Sequence, residues 1–164
     1  MSDMTQTVVP IWAGDEVRAD LARFRARTAA IREVKHRPRV LVLEDEYVEA
    51  AVFARMIQDI AHPVIQTDPR QALSLVFDGP RSGIWFDAAI VDVMLPHMSG
   101  LEFVERLHTL SEKRIPVVLL SGVCGLGVDF QGEFLEKPVG KADLVAALQR
   151  CAPRIGPTSN GSAT

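Results

Sequence analysis

Cysteine is scarce in this 164-residue chain: there are two, Cys124 and Cys151, with no CxxC pair, and the four histidines show no HxxxH spacing. Those absences leave neither a disulfide framework nor a zinc motif, and two reduced thiols are the reading in preference to a lone bridge. No apolar stretch approaches the roughly 18 residues that a membrane span requires. The opening MSDMTQTVVPIWAGDE lacks the basic start and apolar run of a signal peptide. The charge imbalance is mild, with 18 basic residues against 21 acidic ones and a net charge of −3. That balance carries no electrostatic footprint for nucleic acid. The expectation is a soluble cytoplasmic protein with no nucleic-acid partner and no membrane partner.

What is present is ordinary globular chemistry, 48% apolar and 24% charged residues. Pattern divides the chain into an extension at 1–38, a compact unit at 39–151 long enough to close a core without staples, and a polar tail at 152–164. The tail, APRIGPTSNGSAT, has too little apolar surface to order itself and is expected to be flexible. In the extension, a helix is predicted over about 14–37, because Val17, Leu21, Phe24, Thr28 and Ile31 recur at helical steps on one stripe. Asp15 and Glu16 lie at its start and Lys35, His36 and Arg37 at its end, as the helix dipole favours, and Pro38 stops it. A lone helix of that length is marginal in water. The stripe therefore needs a partner: either the chain's own compact unit or a second copy, in a homodimer through a short coiled coil.

From Arg39 onward strands and helices alternate. VLVLE (40–44), PVIQ (63–66), AAIVDVM (88–94), PVVLLS (116–121) and EFLEK (133–137) read as strands. Helices are predicted at 46–61, with Val48, Val52, Met56 and Ile60 on one face, and at 69–79, 100–112 and 141–151. The alternation implies a doubly wound α/β fold, a parallel sheet with helices on both faces and right-handed crossovers. Ligands in such sheets bind where the strands end at their carboxyl edge.

That edge is where the chemistry gathers. Glu44 and Asp45 follow the first strand, Asp92 lies in the third, Ser121 closes the fourth and Lys137 follows the fifth. Carboxylates brought together this way repel unless a cation joins them, and hard oxygens with room for water suit Mg²⁺. Lys137 is a mobile point charge suited to a phosphoryl oxygen, while Ser121 and the N–H groups of the Gly122 turn can donate to others. A carboxylate faced by such groups is arranged as a nucleophile for phosphoryl transfer. Glu46 reads as a helix N-terminal acid and His97 as a solvated loop residue. GVCGLG (122–127) lacks the GK[ST] of a nucleotide loop.

Four segments in order carry a resemblance: VLVLEDE, AAIVDVMLPHMSGLEFVERL, LLSG and FLEKPV. Over residues 39–151 the chain resembles the response-regulator receiver domains of two-component signalling. The resemblance implies a five-stranded flavodoxin-like sheet of order 2-1-3-4-5. It implies Asp92 as phospho-acceptor, and a Mg²⁺ site made by Asp45, Asp92, the backbone carbonyl of Met94 and, through water, Glu44. It implies Lys137 and Ser121 as phosphoryl contacts, Ser121 and Phe134 as a switch pair, and a cis proline after Lys137. The implied partner is a sensor histidine kinase or a histidine phosphotransfer protein.

The pattern departs from the family between Ser121 and Lys137, where 15 residues stand and the family has more. The helix expected between the fourth and fifth strands is therefore short, irregular or absent. With only 13 residues after Cys151, no DNA-binding output domain is expected, and the alternative to a signalling switch is a phosphate shuttle or sink in a phosphorelay. Two other classes fit less well. An Asp-nucleophile phosphatase needs a second acid two residues after the nucleophile, where Met94 stands. A pseudo-receiver scaffold has no use for intact Asp92, Asp45 and Lys137. The chain is not expected to be an enzyme beyond its own phosphorylation and dephosphorylation. Apolar Met94 and Val123, beside the acceptor and beside Ser121, point to a long-lived phosphoryl group.

Overall fold

In the computed structural model each of the five runs read as a strand is a strand, and helices follow the first, second, third and fifth of them. The structure describes residues 37–111, 114–123 and 130–156. The predicted N-terminal helix lies outside them. The strands are β1 (Arg39–Leu43), β2 (His62–Gln66), β3 (Ala88–Asp92), β4 (Val117–Ser121) and β5 (Glu133–Glu136). The helices are α1 (Tyr47–Ile57), α2 (Pro69–Ser82), α3 (Gly100–Leu110) and α4 (Lys141–Cys151). All four strand pairings are parallel and the order is β2-β1-β3-β4-β5, as expected. Among the described residues no helix stands between β4 and β5; residues 124–129 of that connection lie outside them.

Side-chain alternation along the strands divides the core into two layers. Val40, Val42, Ala88, Ile90, Val118 and Leu120 face α1 and α4, where Phe53, Ile57, Leu144 and Leu148 meet them. Leu41, Leu43, Ala89, Val91, Val117 and Leu119 face α2 and α3, against Ala72, Val76, Phe103 and Leu107. β3 and β4 are buried along their whole length, which explains their continuous apolar sequence. β2, at one edge of the sheet, is only partly buried and accommodates Pro63.

Two elements differ from the sequence expectation. In α1 the buried stripe is Ala50, Phe53, Ala54 and Ile57, whereas Val48 and Val52 are exposed. Small Ala50 and Ala54 let the helix approach the sheet, and the valines are left on the outer side. α2 runs past Gly79 to Ser82. It stops where Gly83 takes a left-handed φ of 71° and donates its N–H to the Gly79 carbonyl, a C-terminal cap that glycine adopts without steric cost. At the other end Asp68 caps α2 by accepting from the N–H groups of Arg70 and Gln71. Just beyond α4, Ala152 and Ile155, assigned to the tail on sequence, are buried in the α1–α4 layer.

Candidate functional site

The hydrogen-bond ladder continues one residue past several strand ends, and that sets the site. Glu44 N–H donates to the Gln66 carbonyl, Val93 N–H to Leu120 and Lys137 N–H to Ser121. Glu44, Asp92, Ser121 and Lys137 are thereby held at one edge of the sheet. The strand parity of Val40, Val42, Ala88, Ile90 and Leu135 places Glu44, Asp92 and Lys137 on the α1 side. Ser121 shares the parity of Val117 and Leu119, with Phe134, on the α2–α3 side.

Asp92 is buried. Its Oδ1 accepts from the Met94 N–H at 3.1 Å and its Oδ2 from Lys137 Nζ at 3.0 Å. The same ammonium donates to Glu44 Oε2 and to Glu49 Oε2, each at 2.7 Å, and lies 5.7 Å from the centre of the Phe53 ring. Burial opposes the lysine's charge, yet the bonds to Glu44, Glu49 and Asp92 outweigh it and hold Lys137 protonated beyond the usual lysine range. Glu44 moves the other way. Burial raises its carboxyl to about 7, helped by the Asp92 charge and opposed by Lys137.

Ser121 is fully buried, and its hydroxyl is occupied within its own turn. Oγ accepts from the Val123 N–H at 3.0 Å and lies 3.2 Å from the Val123 carbonyl, to which it donates. Phe134 is partly buried against the α2–α3 layer. Met94 and Val123 expose their side chains to solvent. The Lys137–Pro138 bond is cis, as the resemblance implied. Behind the acceptor, Gly100 starts α3 with its N–H on the Val93 carbonyl, capped by Ser99 Oγ accepting from Glu102 N–H.

The donor set fits a small divalent cation. Glu44, Asp45 and Asp92 each offer a carboxylate oxygen, and these atoms lie within 4.8 Å of one another. Mg²⁺ takes such hard oxygens while keeping several waters, and exposed Asp45 opens the cluster to solvent.

Sequence reading missed Glu49. It lies in the first turn of α1, close in sequence to the acids that follow β1; that was the available signal, but it does not reveal which cation the carboxylate meets.

Fold and site together define a doubly wound α/β domain with an acid–lysine constellation at the carboxyl edge of its sheet. The chain belongs to the response regulator receiver domain family, whose sequence profile matches residues 40–149. It is 34% identical over 131 residues to the transcriptional regulatory protein TcrA of Mycobacterium tuberculosis, covering 73% of this chain and 47% of that protein. It is 28% identical over 125 residues to the cell cycle response regulator CtrA of Brucella ovis, covering 71% and 50%. The chain thus spans about half the length of these curated relatives. Among solved structures it resembles the receiver domain from the hybrid histidine kinase CckA, with a TM-score of 0.58 and 23% identity, covering 70% of this chain and 98% of that one. A CheY-like receiver from Methanospirillum hungatei JF-1 superposes with a TM-score of 0.59 at 20% identity, covering 70% and 93%. Receiver domains are phosphoryl-accepting signalling modules rather than classical enzymes. They generally bind Mg²⁺ through acidic residues and interact with histidine kinases or phosphotransfer proteins. Among the described residues no helix is long and apolar enough to cross a membrane.

Glu44 makes the metal-free domain sensitive to pH. Its raised folded-state pKa means that the native state holds this proton more tightly than the unfolded chain. The resulting stabilisation is complete below the ordinary carboxyl value of 4.5 and is lost as pH rises through about 7. In chelator, the urea midpoint of the wild type is expected to fall relative to Glu44→Gln between about pH 5 and about pH 8. Parallel curves for the two proteins would contradict this.

Proposed function

We propose that Asp92 accepts a phosphoryl group from a phosphohistidine of a sensor kinase or histidine phosphotransfer protein, and that the phosphorylated domain signals by changing its protein contacts. The observation that carries this reading is the clamp on Asp92, one oxygen on the Met94 N–H and the other on Lys137, beside two further carboxylates. An oxygen of Asp92 forms the new O–P bond as the N–P bond of phosphohistidine breaks. The electron pair of that bond stays on the imidazole nitrogen, which takes up a proton from solvent. The Asp92 carboxylate is already oriented by its bonds to the Met94 N–H and to Lys137.

Lys137 offsets the charge that gathers on the phosphoryl oxygens. Mg²⁺ held by Asp45, Asp92, the Met94 carbonyl and, through water, Glu44 supplies further charge neutralisation when bound. For Ser121 to donate to the phosphoryl group, its hydroxyl turns out of its bonds with Val123, and Phe134, on the same side of the sheet, follows inward. This coupled movement is the proposed two-state element that a partner reads. The domain catalyses only its own phosphorylation and dephosphorylation, and the proposed setting is the cytoplasm, where a kinase partner draws on ATP.

The test is incubation with labelled acetyl phosphate and with phosphorylated kinase, with Mg²⁺ or with chelator. Wild type is expected to take up label only with Mg²⁺, as an acyl phosphate cleaved by hydroxylamine, and Asp92→Asn to take up none. Equal labelling of Asp92→Asn would refute the assignment.

A further inference from the structure

Lys137 is saturated. An ammonium has three N–H donors, and here they are taken by Glu44, Glu49 and Asp92. Any contact between Lys137 and a phosphoryl oxygen therefore requires one of these bonds to be given up. The three are not equally easy to lose. The side chains of Glu44 and Asp92 are 3% and 7% exposed, so in the unphosphorylated, metal-free domain releasing either leaves a buried carboxylate without its cation. Glu49, on the first turn of α1, is 50% exposed, and water replaces the lysine there at little cost.

We propose that Glu49 is a positioning residue, a latch that holds Lys137 in the unphosphorylated domain and is displaced when a phosphoryl group arrives. The inference rests on the receiver reading above and adds a residue to it. Glu49 competes with the phosphoryl oxygens for one N–H of Lys137. The strength of that exposed ion pair is subtracted from the domain's affinity for its phosphoryl group, biasing the unmodified protein toward the resting state. The position of α1 also becomes coupled to phosphorylation, because the latch ties the helix to the residue that follows β5.

The experiment uses beryllofluoride, a non-covalent phosphoryl mimic, titrated at saturating Mg²⁺ into wild type, Glu49→Ala and Glu46→Ala. Glu46 is an exposed neighbouring acid whose side chain makes no capping hydrogen bond at the start of α1. Its removal changes the local charge by the same amount without touching Lys137. The latch predicts that Glu49→Ala binds the mimic about four-fold more tightly than wild type, while Glu46→Ala stays within about two-fold, the range expected of an exposed ion pair. Unfolding midpoints of both variants, taken in parallel, show that the change is not one of folding. No gain in Glu49→Ala, or an equal gain in Glu46→Ala, overturns the latch while leaving the receiver reading in place. Failure of the wild type to bind the mimic at all overturns that reading, and the latch with it.

Discussion

Replacing Lys137 by Met is expected to lower the stability of the metal-free domain by about 3 kcal/mol at alkaline pH, the cost of leaving buried carboxylates without their cation. Lys137 is the shared partner of Glu44, Glu49 and Asp92. Glu49 can turn to water, but Glu44 and Asp92 cannot, because both are buried. Methionine fills much of the lysine's volume, so the loss reads charge rather than a cavity. Two dependences identify the cause. At about pH 5 the penalty shrinks, because Glu44 escapes it by taking up a proton. Added Mg²⁺ raises the stability of the variant more than that of the wild type, because the cation takes over the balancing that the ammonium performs. Urea unfolding in chelator and in Mg²⁺ at the two pH values measures all three effects. A penalty below about 1 kcal/mol in chelator at about pH 8 would mean that the ion cluster is not stabilising and that the acids are relieved in another way.

Gly100→Ala is expected to cost about 3 kcal/mol or more, as a steric insertion that no side chain can absorb. A Cβ at this position would lie 2.1 Å from the Asp92 carbonyl oxygen and 2.9 Å from both the Asp92 carbonyl carbon and the Val93 Cα. All three atoms are backbone, at the end of a strand buried along its whole length and paired on both sides. Either α3 lifts away, losing the packing of Phe103 and Leu107, or the end of β3 moves and takes Asp92 with it. Phosphate uptake is therefore expected to fall together with stability, although every side chain in the site is intact. Denaturant midpoints and acetyl phosphate labelling of the variant test this. Wild-type stability in Gly100→Ala would show that the helix start can yield without disturbing the strand.

The gathering of Glu44, Asp92, Ser121 and Lys137 was legible before any coordinates, since strands in a parallel sheet end at a common edge and the apolar runs mark where each one ends; the strand order came from the resemblance to receiver domains. The rotation of α1 was not legible. Val48 and Val52 are more apolar than Ala50 and Ala54, yet the alanines face the sheet. Hydrophobicity offers two adjoining stripes, and only close packing selects the one with small side chains. The end of α2 was misplaced for a related reason: Gly79 and Gly83 are equivalent as letters, and it is the left-handed φ at Gly83 that makes it the stop.

By itself, the sequence determined which chemical groups reach the edge of the sheet: three acids, a hydroxyl and a lysine, each at the end of a strand or within two residues past it. Strand periodicity is local, and a parallel sheet converts it directly into position. Only the tertiary structure decided how those groups pair. It gave all three donors of Lys137 to carboxylates, added Glu49 from the neighbouring helix and turned Ser121 into its own loop. Those choices depend on side-chain reach between elements far apart in the chain and on which oxygens water can still solvate, and neither quantity has a period that the sequence displays.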